Sequence, residues 1–208
     1  MTELITAPTK LVRNLLSLND LGNEDLRYLI SRGAACAAGA DPGRPLDGAI
    51  VGIYFEKTST RTRTAFSCGA LRLGARLITY GPGDLQTNTG ETLTDTGRVL
   101  ASMLDILVAR TALPAAELGQ LAGHGRMPVI NAMNFDEHPT QGLTDLTTLF
   151  CHFNRISGLR VLYVGEGNNT AAALRVDAAS TPGWWLGHLP REGRRSRVAS
   201  TLRDELCA

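Results

Sequence analysis

The sequence predicts an α/β fold: a parallel sheet flanked by helices, followed by the start of a second, incomplete α/β domain. Three observations carry that expectation. Short apolar runs rich in β-branched residues alternate with stretches of helical periodicity from Ala49 to Phe153. Polar residues suited to chemistry fall where the apolar runs end, which is where parallel α/β sheets bind ligands. A strand–turn–helix pattern then restarts at Gly158.

The elements follow in order. The first dozen residues read as a loose lead-in. A helix is expected over about Asn23 to Ala38, with Glu24 and Asp25 at its positive end and Leu26, Leu29, Ile30 and Ala34 as the buried stripe. Asp41-Pro42-Gly43-Arg44-Pro45 breaks it. Ala49 to Tyr54 is a buried strand, and Phe66, Ala70 and Leu73 give the following segment a helical period. Arg76 to Tyr80 is a second strand. Asp84 to Gly90 is Asn/Thr-rich and reads as a mobile loop. A helix over about Thr92 to Leu104 turns Leu93, Thr96, Leu100 and Met103 inward. Asp105 to Ala109 is a strand ending at Arg110, Pro114 to Ala122 a helix, and Pro128 to Asn131 a short strand. A loop from Asn134 leads into a helix over about Thr140 to Phe153. Leu159 to Val164 and Thr170 to Ser180 open the second unit.

Composition excludes several classes. A 43% hydrophobic content in 208 residues supports a real core and argues against disorder. A formal net charge of +1 gives no electrostatic case for nucleic acid or a membrane surface. No apolar run reaches spanning length, and no leader pattern opens the chain. Cys36, Cys68, Cys151 and Cys207 are scattered without C-x-x-C spacing, so they read as reduced thiols of a cytoplasmic protein with no metal site.

The most informative stretch is Ser59-Thr60-Arg61-Thr62-Arg63, between a strand end and a helix start. The first N–H groups of a helix lack internal partners, and the helix dipole is positive there. Hydroxyl donors and planar guanidinium forks at that place suit a phosphate. The competing reading is an ordinary Ser/Thr helix cap with solvated arginines. A P-loop is excluded, because the Gly-Lys-Ser/Thr ending is absent.

Phe55-Glu56-Lys57-Thr58-Ser59-Thr60-Arg61-Thr62-Arg63 resembles the carbamoyl phosphate signature of the aspartate/ornithine carbamoyltransferase family. Val108-Ala109-Arg110 and His138-Pro139-Thr140-Gln141, with Leu143 and Asp145 after them, resemble further family motifs in the same order. The resemblance runs from about Leu15 to about Pro182. It implies a carbamoyl phosphate-binding domain over residues 1–153, the beginning of an amine-substrate domain over 154–182, and a divergent tail over 183–208. It implies that Ser59, Thr60, Arg61 and Thr62 hold the phosphate. Thr62, Arg110 and His138 then face the carbonyl oxygen, with Arg61, Arg110 and His138 as the catalytic set. Gln141 takes the carbamoyl amino group, and Asn168 and Asn169 are the remaining candidates for the amine substrate. Gln86 is expected to reach a neighbouring subunit's site in a homotrimer, although Gly90 stands where many relatives carry Lys. Taken singly, each of these residues has a structural reading as a solvated, loop-shaping or capping group.

The resemblance implies transfer of the carbamoyl group from carbamoyl phosphate to a small amine, with phosphate released and no cofactor. Ornithine is the expected acceptor, from the Asn131-to-His138 spacing and the Phe-Glu-Lys lead; putrescine, aspartate and acylated ornithine remain open. Relatives continue with further strands, a Ser-Met-Gly loop, a His-Cys-Leu-Pro segment and a closing helix, none of which is found here. A truncated or frameshifted reading frame is therefore expected, with very low turnover. The alternative is a catalytically incompetent carbamoyl phosphate-binding fragment. Residues 184–208 are expected to be mostly disordered and to offer no strand to pair with Leu159–Val164.

Overall fold

The computed structural model describes residues 14–123, 125–164, 167–180 and 185–189. The lead-in and the expectations for residues 190–208 lie outside the described residues. Four strands, β1 (Ile50–Phe55), β2 (Arg76–Tyr80), β3 (Ile106–Arg110) and β4 (Val129–Met133), form one sheet in the order β2-β1-β3-β4. Every pairing is parallel. The helices are α1 (Asn23–Ala37), α2 (Arg61–Arg72), α3 (Leu93–Leu100), α4 (Ala115–Ala122) and α5 (Pro139–Phe153).

Strand alternation splits the apolar residues between two faces. On one face Leu107, Ala109 and Val129 pack with Leu100, Leu118 and Leu121 of α3 and α4. On the other Val51, Ile53, Phe55 and Val108 pack with Phe66 and Ala70 of α2. A third cluster joins Leu26 and Ile30 of α1 to Leu146 of α5. Burial on both faces explains why β1 and β3 read as continuous apolar runs. Glycine at position 52 lets the turn after α3 approach β1: a Cβ there would stand 2.6 Å from Leu104 Cδ1.

The structure departs from expectation at the end of α3 and after Pro182. α3 stops at Leu100, and i→i+3 bonds such as Met103 N–H to Leu100 O turn the chain, leaving Met103 57% exposed rather than facing in. The Asp84–Gly90 loop holds a 3-10 turn over Gln86–Thr89, anchored by buried Leu85 and by Thr89 Oγ1 donating to Gln86 Oε1 at 2.9 Å. After Pro182 a strand does form: β6 (Trp185–Leu189) pairs in parallel with β5 (Arg160–Val164), Arg160 opposite Trp185 and Val164 opposite Leu189. The expectation of no pairing strand is corrected by this sheet; β5's open edge is satisfied by a short Trp/Leu-containing run reached through α6 (Asn169–Ser180). Among the described residues no helix is long and apolar enough to cross a membrane.

Candidate functional site

Strand order reverses between β1 and β3, with β2 on one side of β1 and β3 on the other, and the crevice at such a switch is where parallel sheets place ligands. Phe55 lies opposite Arg110 in the β1–β3 register. Arg110 lies opposite Met133, because a bulge skips Ala132 in the β3–β4 pairing. Met133 takes φ +144°, a conformation that costs a side-chain-bearing residue strain and that its N–H bond to Asn131 Oδ1 (3.0 Å) helps hold. Three strand ends thus bring residues 58–62, Arg110 and His138 to one cavity of about 950 Å³.

α2 begins at Arg61, with Thr60 as its N-cap and no side-chain cap hydrogen bond. Its first turn contains no acid. The ordinary-cap reading of Ser59 and Thr60 is therefore not what the hydroxyls do; they line the cavity instead. Arg61 is exposed and Thr62 half-buried, and both line it.

Arg110 donates from Nη1 to Thr62 Oγ1 at 3.4 Å. Its Nε is buried without a partner. Burial lowers its pKa from the ordinary value, yet a guanidinium stays charged at neutral pH. A half-buried cation whose Nε is buried and unmet, at a cavity wall, is primed for an acceptor.

His138 precedes Pro139, the first residue of α5, and is 6% exposed. Its main-chain N–H donates to Asn169 O at 3.1 Å, and its ring Nδ1 lies 3.3 Å from Thr140 Oγ1. Burial first, and then the Arg110 charge, pull its pKa down to about 4. The imidazole is neutral at neutral pH. Between that value and the ordinary 6.5, the unfolded chain holds more protons than the folded one. Stability is therefore expected to fall as pH drops from 6.5 towards 4, and His138→Gln to remove this part of the slope. Urea midpoints across that range check it; identical slopes in both proteins would contradict the assignment.

Gln141 lines the cavity and donates from Nε2 to Asp145 Oδ1 at 2.8 Å. Burial raises the Asp145 pKa, and the Gln141 bond opposes that rise. Asn168 and Asn169 also line the cavity, but their carboxamides are engaged. Asn168 Oδ1 accepts from the N–H groups of Thr170 and Ala171 at 3.0 and 3.2 Å, a cap for α6. Asn169 Nδ2 donates to Asn134 O at 2.9 Å. Gln86 is exposed and does not line this chain's cavity.

Residues that sequence reasoning passed over hold the site together. Asn134 Oδ1 accepts from Asp136 N–H (3.0 Å) and Glu137 N–H (2.7 Å), and buried Glu137 Oε1 accepts from Leu18 N–H at 3.0 Å. The spacing of Asn134 before Asp136 was a readable Asx-turn signal. Glu56 stands within the quoted signature, but nothing in sequence gave it a partner. Among the described residues no cluster of three His, Cys, Asp or Glu is placed to hold a metal.

Comparison with known proteins gives the chain's family and fold. The profile of the family described as "Aspartate/ornithine carbamoyltransferase, carbamoyl-P binding domain" matches residues 13–150. An ornithine carbamoyltransferase of Thermosynechococcus vestitus is 41% identical over 167 residues, 80% of this chain and 53% of the relative. That of Haloquadratum walsbyi is 37% identical over 166 residues, 80% of this chain and 55% of the relative. The solved ornithine carbamoyltransferase of Thermus thermophilus superposes with a TM-score of 0.80 at 27% identity, covering 94% of this chain and 68% of that one. The chain spans about half the length of the curated relatives it matches. With the profile covering every strand of the four-stranded sheet and the turn, Arg110 and His138 that meet at its edge, the chain belongs to the aspartate/ornithine carbamoyltransferase family.

Proposed function

We propose that this cavity binds carbamoyl phosphate and that the protein passes its carbamoyl group to an amine of ornithine. The observation that carries the reading is the convergence of the uncapped α2 N-terminus, Arg110 and His138 on one cavity. The phosphate sits against Ser59, Thr60, Arg61 and Thr62, where helix N–H groups and guanidinium neutralise the leaving group. The carbonyl oxygen faces Arg110, Thr62 and His138. As the amine nitrogen bonds to the carbonyl carbon, charge grows on that oxygen and these donors stabilise it. The C–O bond to phosphate then breaks, phosphate leaves with the electron pair, and the amine gives up a proton. A neutral His138 adds no second positive charge beside Arg110. Gln141 receives the carbamoyl amino group.

Ornithine is favoured as acceptor by the names of the relatives. The same reading makes the protein a cytoplasmic homotrimer, with Gln86 completing a neighbour's site; its exposed position outside its own cavity supports that role. Binding without turnover uses the same contacts. Isothermal titration with carbamoyl phosphate, run beside a citrulline colour assay with ornithine, separates the two. Binding with citrulline supports the transferase and binding alone the fragment reading; no binding contradicts both.

A further inference from the structure

Glu56 directly follows β1 and does not line the cavity. Its main-chain N–H donates to Arg110 O at 2.9 Å. Its carboxylate reaches past Arg110, where Oε2 accepts from Ala112 N–H at 2.9 Å. The other oxygen, Oε1, accepts from Tyr54 Oη at 2.9 Å. Tyr54 is 3% exposed, and burial, followed by the hydrogen bond to Glu56 and then the Glu56 charge, keeps its phenol protonated as a donor. From the opposite side Thr111 N–H donates to Met133 O at 3.0 Å. The segment carrying Arg110 is therefore gripped by one glutamate at the Arg110 carbonyl and again at Ala112, and the glutamate is fixed by a buried tyrosine.

We propose that Glu56 is a positioning residue: it clamps the Arg110–Ala112 segment so that the guanidinium meets the carbonyl end of the ligand. The inference rests on the proposed reading of Arg110 as a carbonyl-oxygen donor. A carboxylate suits the task because its two oxygens accept from two donors at once; a glutamine has one acceptor oxygen to share. Nothing ties Glu56 to Ser59–Thr62 by side-chain bonds, so loss of the clamp falls on the carbonyl end and spares the phosphate end.

The test compares inorganic phosphate with phosphonoacetamide, which adds a carbonyl and amide to a phosphonate, by titration of the full chain. In wild type the second ligand is expected to bind more tightly. Glu56→Ala is expected to cut that preference about ten-fold while phosphate affinity stays unchanged, and Glu56→Gln to cut it by less. Unchanged phosphate affinity also reports that the variant is folded. If Glu56→Ala keeps the wild-type preference, or weakens both ligands equally, the clamp is wrong. If wild type itself shows no preference for phosphonoacetamide, the reading of Arg110 fails and the clamp falls with it.

Discussion

Arg61→Ala is expected to weaken carbamoyl phosphate binding ten-fold or more. Arg61 opens α2, whose first turn has no acid to compete for it and no side-chain cap over its N–H groups. A dianionic phosphate there meets the helix dipole, hydroxyl donors and a guanidinium fork together. Removing the fork deletes a charge-assisted hydrogen bond of about 1.5–3 kcal/mol. Arg61 is exposed, which screens its charge in the empty site, so the effect belongs near the lower end of that range. Arg63 does not line the cavity, and Arg63→Ala is expected to bind nearly as wild type. Isothermal titration of both variants measures the contrast. Equal affinity for wild type and Arg61→Ala would remove the anion site from the α2 N-terminus.

The largest stability effect is expected at Gly97. A Cβ there would stand 2.8 Å from Leu121 O and 2.9 Å from Leu121 Cα, both main-chain atoms of α4 that cannot rotate away. Gly97→Val must push α3 off α4 and disturb Leu100, Leu118 and Leu121, with an expected loss of about 3 kcal/mol. Gly119 lies in α4, and a Cβ there would meet nothing within 4 Å. Gly119→Ala is expected to stabilise by about 0.5–1 kcal/mol through helix propensity alone. Urea unfolding distinguishes the two. A Gly97→Val protein with the wild-type midpoint would show that the helices do not pack this closely.

The strands and the site's location were legible because burial on both faces forces apolar runs, and because the polar residues that end those runs fall at the sheet's ligand-binding edge. Ser59–Thr62, Arg110 and His138 were found that way and meet at one cavity. The end of α3 was not legible, since Met103 keeps the helical period while main-chain turn bonds rotate it outward. β6 was missed because a five-residue run with a glycine and a histidine carries little strand signal until β5 offers it an edge. The Glu56–Ala112, Asn134–Glu137 and Glu137–Leu18 bonds are side chain to main chain; Glu56 to Ala112 and Glu137 to Leu18 cross long stretches of sequence, which no local pattern encodes. The depressed His138 pKa arises from burial and from Arg110, which the fold alone brings together.

A crystal structure of the chain with phosphonoacetamide tests the central claim most directly. The phosphonate is expected against Ser59–Thr62 at the start of α2, with the carbonyl oxygen in hydrogen-bond reach of Arg110 and His138. A ligand bound away from the α2 N-terminus, or one whose carbonyl turns from Arg110, would contradict it.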